Sequence, residues 1–140
     1  MEKQLILEKS NLFIVDDDYY YSMFVKYTLE KKLGDEIVIK RFSNMESCFN
    51  LMKRNSEKLS VLILDLFQNK QFGRKKGNSI VDQVQEISPD TSIIMLSDKK
   101  NLALAKKALT NGAHDLVIKD QFAPEHIFNS VEKCLRPVKM

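Results

Sequence analysis

Five short apolar runs, separated by longer segments of mixed polarity, organise this chain. Most of the runs are continuous rather than alternating, which is typical of strands that are buried on both faces of a parallel sheet. We therefore predict five β-strands. They cover about residues 12–15, 36–40, 61–64, 91–96 and 116–118.

The segments between the runs have apolar residues at helical spacing. Asp18 is a suitable N-cap, and Gly34 a suitable terminator, for a first helix that ends near Leu33. Its aromatic residues predict the buried stripe, and we expect the run 19–21 to serve in packing. The residues of that predicted stripe are Tyr20, Met23, Phe24 and Tyr27.

Four further helices are predicted in the same way. Ser43 and Glu46 have capping-box spacing at the start of the second helix, and Pro124 fits the first turn of the last one. The third helix is expected from about Asn78 and the fourth over about 100–111. The expected inward residues are Met45, Cys48 and Met52, then Ile80, Val84 and Ile87, then Leu102, Ala105 and Leu109, and finally Ile127, Val131 and Cys134.

Strict alternation of strand and helix predicts an α/β fold, with a three-layer, doubly wound sheet of five parallel strands. The chain has 140 residues, of which 44% are hydrophobic and 29% charged. This size is enough for one domain with its own core, and we expect a single domain over 1–140 with its core at about 10–137.

Composition narrows the classes of function. The net charge is only +3 and basic residues are spread along the chain, which argues against a dedicated nucleic-acid-binding protein. No apolar run approaches the roughly 20 residues that span a bilayer. Cys48 and Cys134 lack metal-ligand spacing, so we interpret them as reduced thiols of a cytoplasmic protein.

Polar residues follow four of the predicted strands. Asp16 and Asp17 follow the first strand, Asp65 the third, Ser97 the fourth and Lys119 the fifth. Because the carboxyl ends of parallel strands share one edge of a sheet, these side chains can converge there. Carboxylates can hold Mg²⁺, one of them can act as a nucleophile, and a hydroxyl and an ammonium can bind phosphoryl oxygens.

Taken alone, the run of three aspartates leaves two interpretations open, a metal site or a helix cap. Asp18 fits a cap well, whereas Asp16 and Asp17 fit it less well. Single residues at the other strand ends are weak evidence. Their joint occurrence at the strand ends is what points to phosphoryl chemistry.

With these residues in place, the chain resembles a response-regulator receiver domain of two-component phosphorelay signalling, in its single-domain, chemotaxis-regulator-like form. The resemblance covers about residues 10–137 and implies a flavodoxin-like sheet with strand order 2-1-3-4-5. It implies that Asp65 is the phosphorylated aspartate, that Ser97 is the switch hydroxyl and that Lys119 binds the phosphoryl group. Such a phosphoprotein is not an enzyme beyond its own phosphorylation and dephosphorylation.

The resemblance also implies a magnesium site and a set of partners. Asp17 would bind Mg²⁺ directly, Asp16 largely through water, and Asp65 and the backbone carbonyl of Phe67 would complete the ligands. The phosphoryl donor would be a sensor histidine kinase or a histidine phosphotransfer protein. The signal would pass to a downstream protein by contact or by onward phosphotransfer. The surface of helix four, strand five and helix five could serve a partner or a homodimer.

Four features depart from the family's pattern. The loop over 66–77 is long and lacks the usual Met-Pro, and Asp120 replaces the proline after the lysine. Leu116 replaces the aromatic switch residue, so the usual coupling between hydroxyl and aromatic ring cannot operate unchanged. Asp98 stands where a small residue is usual, and its carboxylate either disfavours phosphorylation or points away from the site.

Three alternatives remain beside the phosphoacceptor. Leu116 and Asp98 are compatible with a receiver-like interaction module that switches little on phosphorylation. A small Mg²⁺-dependent phosphohydrolase of the haloacid dehalogenase type would use the Asp-x-Asp pattern in 16–18, but it would leave Asp65 without a role. A flavin-binding module is disfavoured because the carboxylates would repel the flavin phosphate.

Overall fold

A five-stranded parallel sheet with helices on both faces forms the protein. The computed structural model describes residues 9–54, 58–65 and 80–136. The strands are β1 (Ser10–Val15), β2 (Ile37–Phe42), β3 (Leu59–Asp65), β4 (Ser92–Ser97) and β5 (Asp115–Ile118). The helices are α1 (Tyr19–Leu33), α2 (Met45–Arg54), α3 (Ile80–Ile87), α4 (Leu102–Thr110) and α5 (Ala123–Leu135).

The strand order is β2-β1-β3-β4-β5, and all neighbouring pairs are parallel. The predicted fold class and strand order are therefore confirmed. β1 and β3 lie at the centre of the sheet, and each is covered on both faces. This double burial explains why their sequences are continuous apolar runs rather than alternating ones.

Two separate apolar clusters cover the two faces of the sheet. Helices α1 and α5 pack on one face, where Leu12 and Ile14 of β1 point. Helices α2, α3 and α4 pack on the other face, where Phe13 and Val15 point. Successive residues of one strand thus serve opposite cores, as the pleat requires.

Helix α1 begins and ends where the sequence predicts, but it buries a different face. The Asp18 carboxylate accepts a hydrogen bond from the backbone N–H of Tyr21 at 3.0 Å, and Gly34 follows the last turn with φ of 56°. The predicted aromatic stripe is wrong because Tyr20, Phe24 and Tyr27 are exposed. A smaller stripe with equally good helical spacing packs on the sheet instead. Its members are Ser22, Val25, Leu29 and Leu33.

Two other local predictions need correction. The Asn44 side chain, not Ser43, caps α2, because its carbonyl oxygen accepts the backbone N–H of Ser47 at 2.8 Å. In α4 the small residues Ala105 and Ala108 are buried, whereas Leu109 is exposed. Alanines allow the helix backbone to approach the sheet closely, so the larger leucine is left outside.

The remaining inward residues largely follow the prediction. Met45, Cys48 and Met52 are buried in α2, and Ile127 and Val131 in α5. Both cysteines are free thiols. The predicted helix start at Asn78 and the loop over 66–77 lie outside the described residues. Within the part of the chain that is described, no helix has the length and apolar character to cross a membrane.

Candidate functional site

Four of the predicted site residues lie at one edge of the sheet. Asp65 and Ser97 are the last residues of β3 and β4, while Asp16 and Lys119 directly follow β1 and β5. Because these four strands are parallel neighbours, their carboxyl ends place the side chains together. The side chains of Asp16, Asp65 and Lys119 meet there, and Ser97 is joined to Lys119 through its backbone carbonyl.

The centre of the site is a lysine shared by two buried carboxylates. The ammonium Nζ of Lys119 donates to Asp65 Oδ2 at 2.6 Å and to Asp16 Oδ2 at 3.3 Å. Asp16 has no exposed surface and Asp65 is 6% exposed, while the lysine side chain is 21% exposed. One ammonium is thus held between two buried carboxylates.

Backbone hydrogen bonds hold Lys119 at the end of β5. Its N–H donates to the carbonyl of Ser97 at 2.8 Å, and the next N–H, of Asp120, donates to Ile118 at 2.8 Å. The Asp120 carboxylate accepts the N–H of Phe122 at 2.9 Å. The described residues contain no cis peptide bond. Asp120 therefore begins the turn into α5 with a trans backbone, and the lysine is held without the family's proline.

The Ser97 hydroxyl is engaged by its own loop. It is buried, and it donates to the carbonyl of Asp98 at 2.8 Å. The Asp98 carboxylate accepts two hydrogen bonds from Asn101, both at 3.0 Å, from the backbone N–H and the side-chain amide. This carboxylate thus caps the short turn Lys99–Asn101 that leads into α4. Both of these hydrogen bonds are thus made to its own turn, and neither is made to Asp16, Asp65 or Lys119.

The predicted metal ligands are only partly brought together. Asp16 Oδ1 accepts the N–H of Asp18 at 2.9 Å, so Asp16 is fixed beside Asp65, whereas the Asp17 side chain is exposed. Phe67 lies outside the described residues. Within the ranges that the structure describes, no three His, Cys, Asp or Glu side chains form a group that could hold a metal ion. The direct role of Asp17 therefore stays a prediction.

The donors that are present nevertheless fit Mg²⁺. Asp16 and Asp65 offer carboxylate oxygens, which are the hard ligands that this ion prefers. The charge of Asp65 raises the pKa of Asp16, so the two carboxylates repel each other. A divalent cation between them would relieve that repulsion. The chemistry of the site is thus suited to the ion that the resemblance implies.

Burial and mutual repulsion shift the ionisation of the site. Burial, followed by the charge of Asp65, raises the pKa of Asp16 from 3.8 to about 6, against the opposing effects of the Asp18 N–H and Lys119. Burial alone would lower the pKa of Lys119. The hydrogen bonds and charges of Asp65 and Asp16 outweigh burial, so the pKa of the ammonium is raised.

We expect Asp16→Asn to stabilise the fold at neutral pH when divalent cations are absent. Between pH 3.8 and about 6 the folded state binds more protons than the unfolded state, so the wild type loses stability as pH rises through this window. A shift of about 2 units corresponds to about 3 kcal/mol, and we expect a gain of about 1–3 kcal/mol at pH 7.5. Urea denaturation with chelator measures it.

The same experiment at pH 4.5 should show a much smaller gain, because Asp16 is then protonated in the folded wild type. Asp17→Asn is the matched control, since its carboxylate is exposed, and we expect a change within about 0.5 kcal/mol. An Asp16→Asn protein that is no more stable than the wild type at pH 7.5 would contradict the raised pKa of Asp16.

One residue near the site was assigned only to packing from the sequence. The ring centroid of Tyr21 lies 4.5 Å from Lys119 Nζ. Its position follows from the Asp18 cap, which places the third residue after it beside the strand ends. Leu116, the residue in place of the family's aromatic, is partly buried against the core cluster on the α2, α3 and α4 side.

Comparison with known proteins agrees with this geometry. The family model described as "Response regulator receiver domain" matches residues 12–132. A response regulator receiver domain protein from Clostridium thermocellum has 18% identity and a TM-score of 0.73, with 90% of this chain and 94% of that chain covered. A response regulator from Thermotoga maritima has 23% identity and a TM-score of 0.70, with 91% and 98% covered.

A third solved structure is that of the BeF3-activated receiver domain of DrrB, a Thermotoga maritima protein. It has 26% identity and a TM-score of 0.66, with 91% of this chain and 98% of that chain covered. No curated protein matches the chain. The family match spans most of the sequence and the solved structures share its fold, so the chain belongs to the response regulator receiver domain family.

Proposed function

We propose that this protein is a phosphoacceptor that receives a phosphoryl group on Asp65 in a Mg²⁺-dependent reaction. The observation that carries the proposal is the buried arrangement in which Lys119 bridges Asp65 and Asp16 at the strand ends. The donor is a sensor histidine kinase or a histidine phosphotransfer protein. We further propose that residues 1–140 act as one receiver domain in the cytoplasm.

In the proposed step, an oxygen of the Asp65 carboxylate attacks the phosphorus of a phosphohistidine. The bond from phosphorus to the donor's imidazole nitrogen breaks, the electron pair leaves with that nitrogen, and the nitrogen takes up a proton. Lys119 binds a phosphoryl oxygen as charge moves onto it. The Ser97 hydroxyl donates to another oxygen after it releases the Asp98 carbonyl.

Mg²⁺, when bound, neutralises charge on the phosphoryl oxygens. Asp16, Asp17, Asp65 and the carbonyl of Phe67 would hold it. With two carboxylates already buried, the chain contributes ligands whose repulsion the cation relieves. The receiver then signals by protein contact or by onward phosphotransfer, and the surface of α4, β5 and α5 serves either the partner or a second copy.

A receiver-like interaction module with little phosphorylation switching is the second candidate. The observation in its favour is Leu116. Because this residue is not aromatic, β5 has no ring at this position whose orientation could change together with that of the Ser97 hydroxyl. Beryllofluoride with Mg²⁺ separates the candidates by the amide shifts of α4 and β5. Large shifts there support the phosphoacceptor switch, and their absence supports the module. The match to the receiver domain family over residues 12–132 argues against the phosphohydrolase and flavin-module interpretations.

Labelling by a small acyl phosphate tests the proposed function directly. We expect a mass increase of one phosphoryl group that requires Mg²⁺, because the acyl oxygen leaves as a carboxylate and the phosphoryl group passes to Asp65. Peptide mapping should locate the group on Asp65, and chelation should prevent labelling. A label on another residue, or none in the presence of Mg²⁺, would contradict the proposal.

A further inference from the structure

Tyr21 differs from the two tyrosines that precede it in the first turn of α1. Tyr19 is 54% exposed and Tyr20 is 82% exposed, whereas Tyr21 is partly buried with its ring against the Lys119 ammonium, 4.5 Å from Nζ to the centroid. The Asp18 cap fixes the backbone of Tyr21 through the 3.0 Å hydrogen bond to its N–H. The ring is thus placed by the same cap that starts the helix.

The ring lies against a third side of the ammonium. A lysine ammonium has three N–H donors and no acceptor. Asp65 and Asp16 accept two of them, and the electron-rich face of Tyr21 lies on a third side. A cation over an aromatic face is attracted by the ring quadrupole, more strongly where water is excluded. The ring therefore restrains the lysine on the side that the carboxylates leave free.

The hydroxyl of Tyr21 has no part in this restraint. It is buried and makes no hydrogen bond among the described residues. Burial raises the pKa of the phenol, so the side chain is neutral at physiological pH and forms no ion pair with the ammonium. A buried hydroxyl without a partner reduces stability. The contribution of this residue to the site therefore comes from the ring.

We propose that Tyr21 is a positioning residue whose ring holds the Lys119 ammonium at the pair formed by Asp65 and Asp16. The consequence for phosphoryl transfer rests on the proposed function, because a fixed ammonium stabilises developing charge without reorganising during the reaction. The placement of the lysine itself does not depend on that function. The two parts can be tested separately.

The first test measures labelling of Asp65 by a small acyl phosphate with Mg²⁺. We expect Tyr21→Leu to slow labelling about tenfold and Tyr21→Phe to keep it within about twofold of the wild type. Tyr20→Leu is the matched control, since the Tyr20 ring is exposed to solvent. This variant should be labelled at the wild-type rate. Melting curves confirm that all variants are folded.

A double-mutant cycle decides whether Tyr21 acts through the lysine. We expect the Lys119→Met background to label slowly, and Tyr21→Leu should cause no further loss there, because the ammonium that the ring positions is absent. An equal loss in both backgrounds would overturn the proposal, since the ring would then act elsewhere. Wild-type labelling rates in Tyr21→Leu would also overturn it.

The second test does not need phosphorylation. The ε-methylene protons of Lys119 should be shifted upfield by the ring current in the wild type and in Tyr21→Phe, and the shift should vanish in Tyr21→Leu. If the wild type is not labelled on Asp65, the proposed function fails while this NMR result still decides the placement. Random-coil shifts in the wild type would overturn the placement.

Discussion

Asp65→Asn should abolish labelling by a small acyl phosphate, with a rate at least about 100-fold below that of the wild type. The amide that replaces the carboxylate has no anionic oxygen to attack phosphorus. The amide oxygen can still accept the hydrogen bond that Lys119 donates at 2.6 Å to Asp65, so the loss reflects the missing nucleophile and not a collapsed site. Mass spectrometry over a time course measures the rate.

The matched control is Asp35→Asn, an exposed carboxylate in the turn after α1. It changes the net charge by the same amount and should label as fast as the wild type. Label retained by Asp65→Asn would contradict the assignment of Asp65. Its location would then show whether Asp16, the other buried carboxylate at this edge, is the acceptor.

The elements of the fold follow from the apolar pattern because the central strands serve two cores. Leu12 and Ile14 face one cluster and Phe13 and Val15 the other, so the buried part of this strand, 12–15, contains no polar residue. The order of the strands could not be obtained from that pattern, since each buried run is compatible with any central position. The resemblance supplied the order, and the sheet confirms it.

The face of α1 shows where periodicity is insufficient. Phe24 and Tyr27 form one stripe at helical spacing, and Val25 and Leu29 form another that is rotated by about one residue. Aromatic rings have the larger apolar area, so the sequence favours the wrong stripe. The cap at Asp18 sets where the helix begins, but its rotation is set by packing against the sheet, which depends on tertiary structure.

The sequence predicted which residues lie at the strand ends, but it did not predict the contacts that their side chains make. Asp16, Asp65, Ser97 and Lys119 lie at the same ends of neighbouring strands because parallel strands share an edge, which requires no knowledge of side-chain conformation. The hydrogen bond from Ser97 to the Asp98 carbonyl depends on side-chain and loop conformation. The contact of Tyr21 with the lysine depends on the first turn of a helix. Neither contact can be predicted from the periodic pattern of apolar residues in the sequence.

Lys119→Met should destabilise the fold by about 2–4 kcal/mol at pH 7.5 without divalent cations. Methionine has a similar length, but it leaves Asp65 and Asp16 buried with no ammonium between them, and removing one partner of a buried pair commonly costs about 3–5 kcal/mol. The lysine side chain is 21% exposed, so we place the expected loss somewhat below that range. Urea denaturation with chelator measures it.

The dependence on pH and on Mg²⁺ identifies the cause of that loss. Lys119 lowers the pKa of Asp16, so its removal raises that pKa further, and the variant should regain stability as the pH falls and Asp16 takes up a proton. Millimolar Mg²⁺ should raise the melting temperature of the variant more than that of the wild type, because the cation replaces the missing charge. Lys119→Arg keeps the positive charge and should lose less stability than Lys119→Met.

Lys26→Met is the control for loss of an ordinary ion pair. Lys26 and Glu30 form a 2.9 Å pair one turn apart on the outer face of α1, with the lysine side chain 26% and the glutamate 43% exposed. We expect its removal to cost less than about 0.5 kcal/mol and to show no extra response to Mg²⁺. An equal response to Mg²⁺ in Lys119→Met and the wild type would mean that the cation binds independently of the lysine's charge. That result would contradict the idea that Mg²⁺ can replace the Lys119 ammonium beside Asp16 and Asp65.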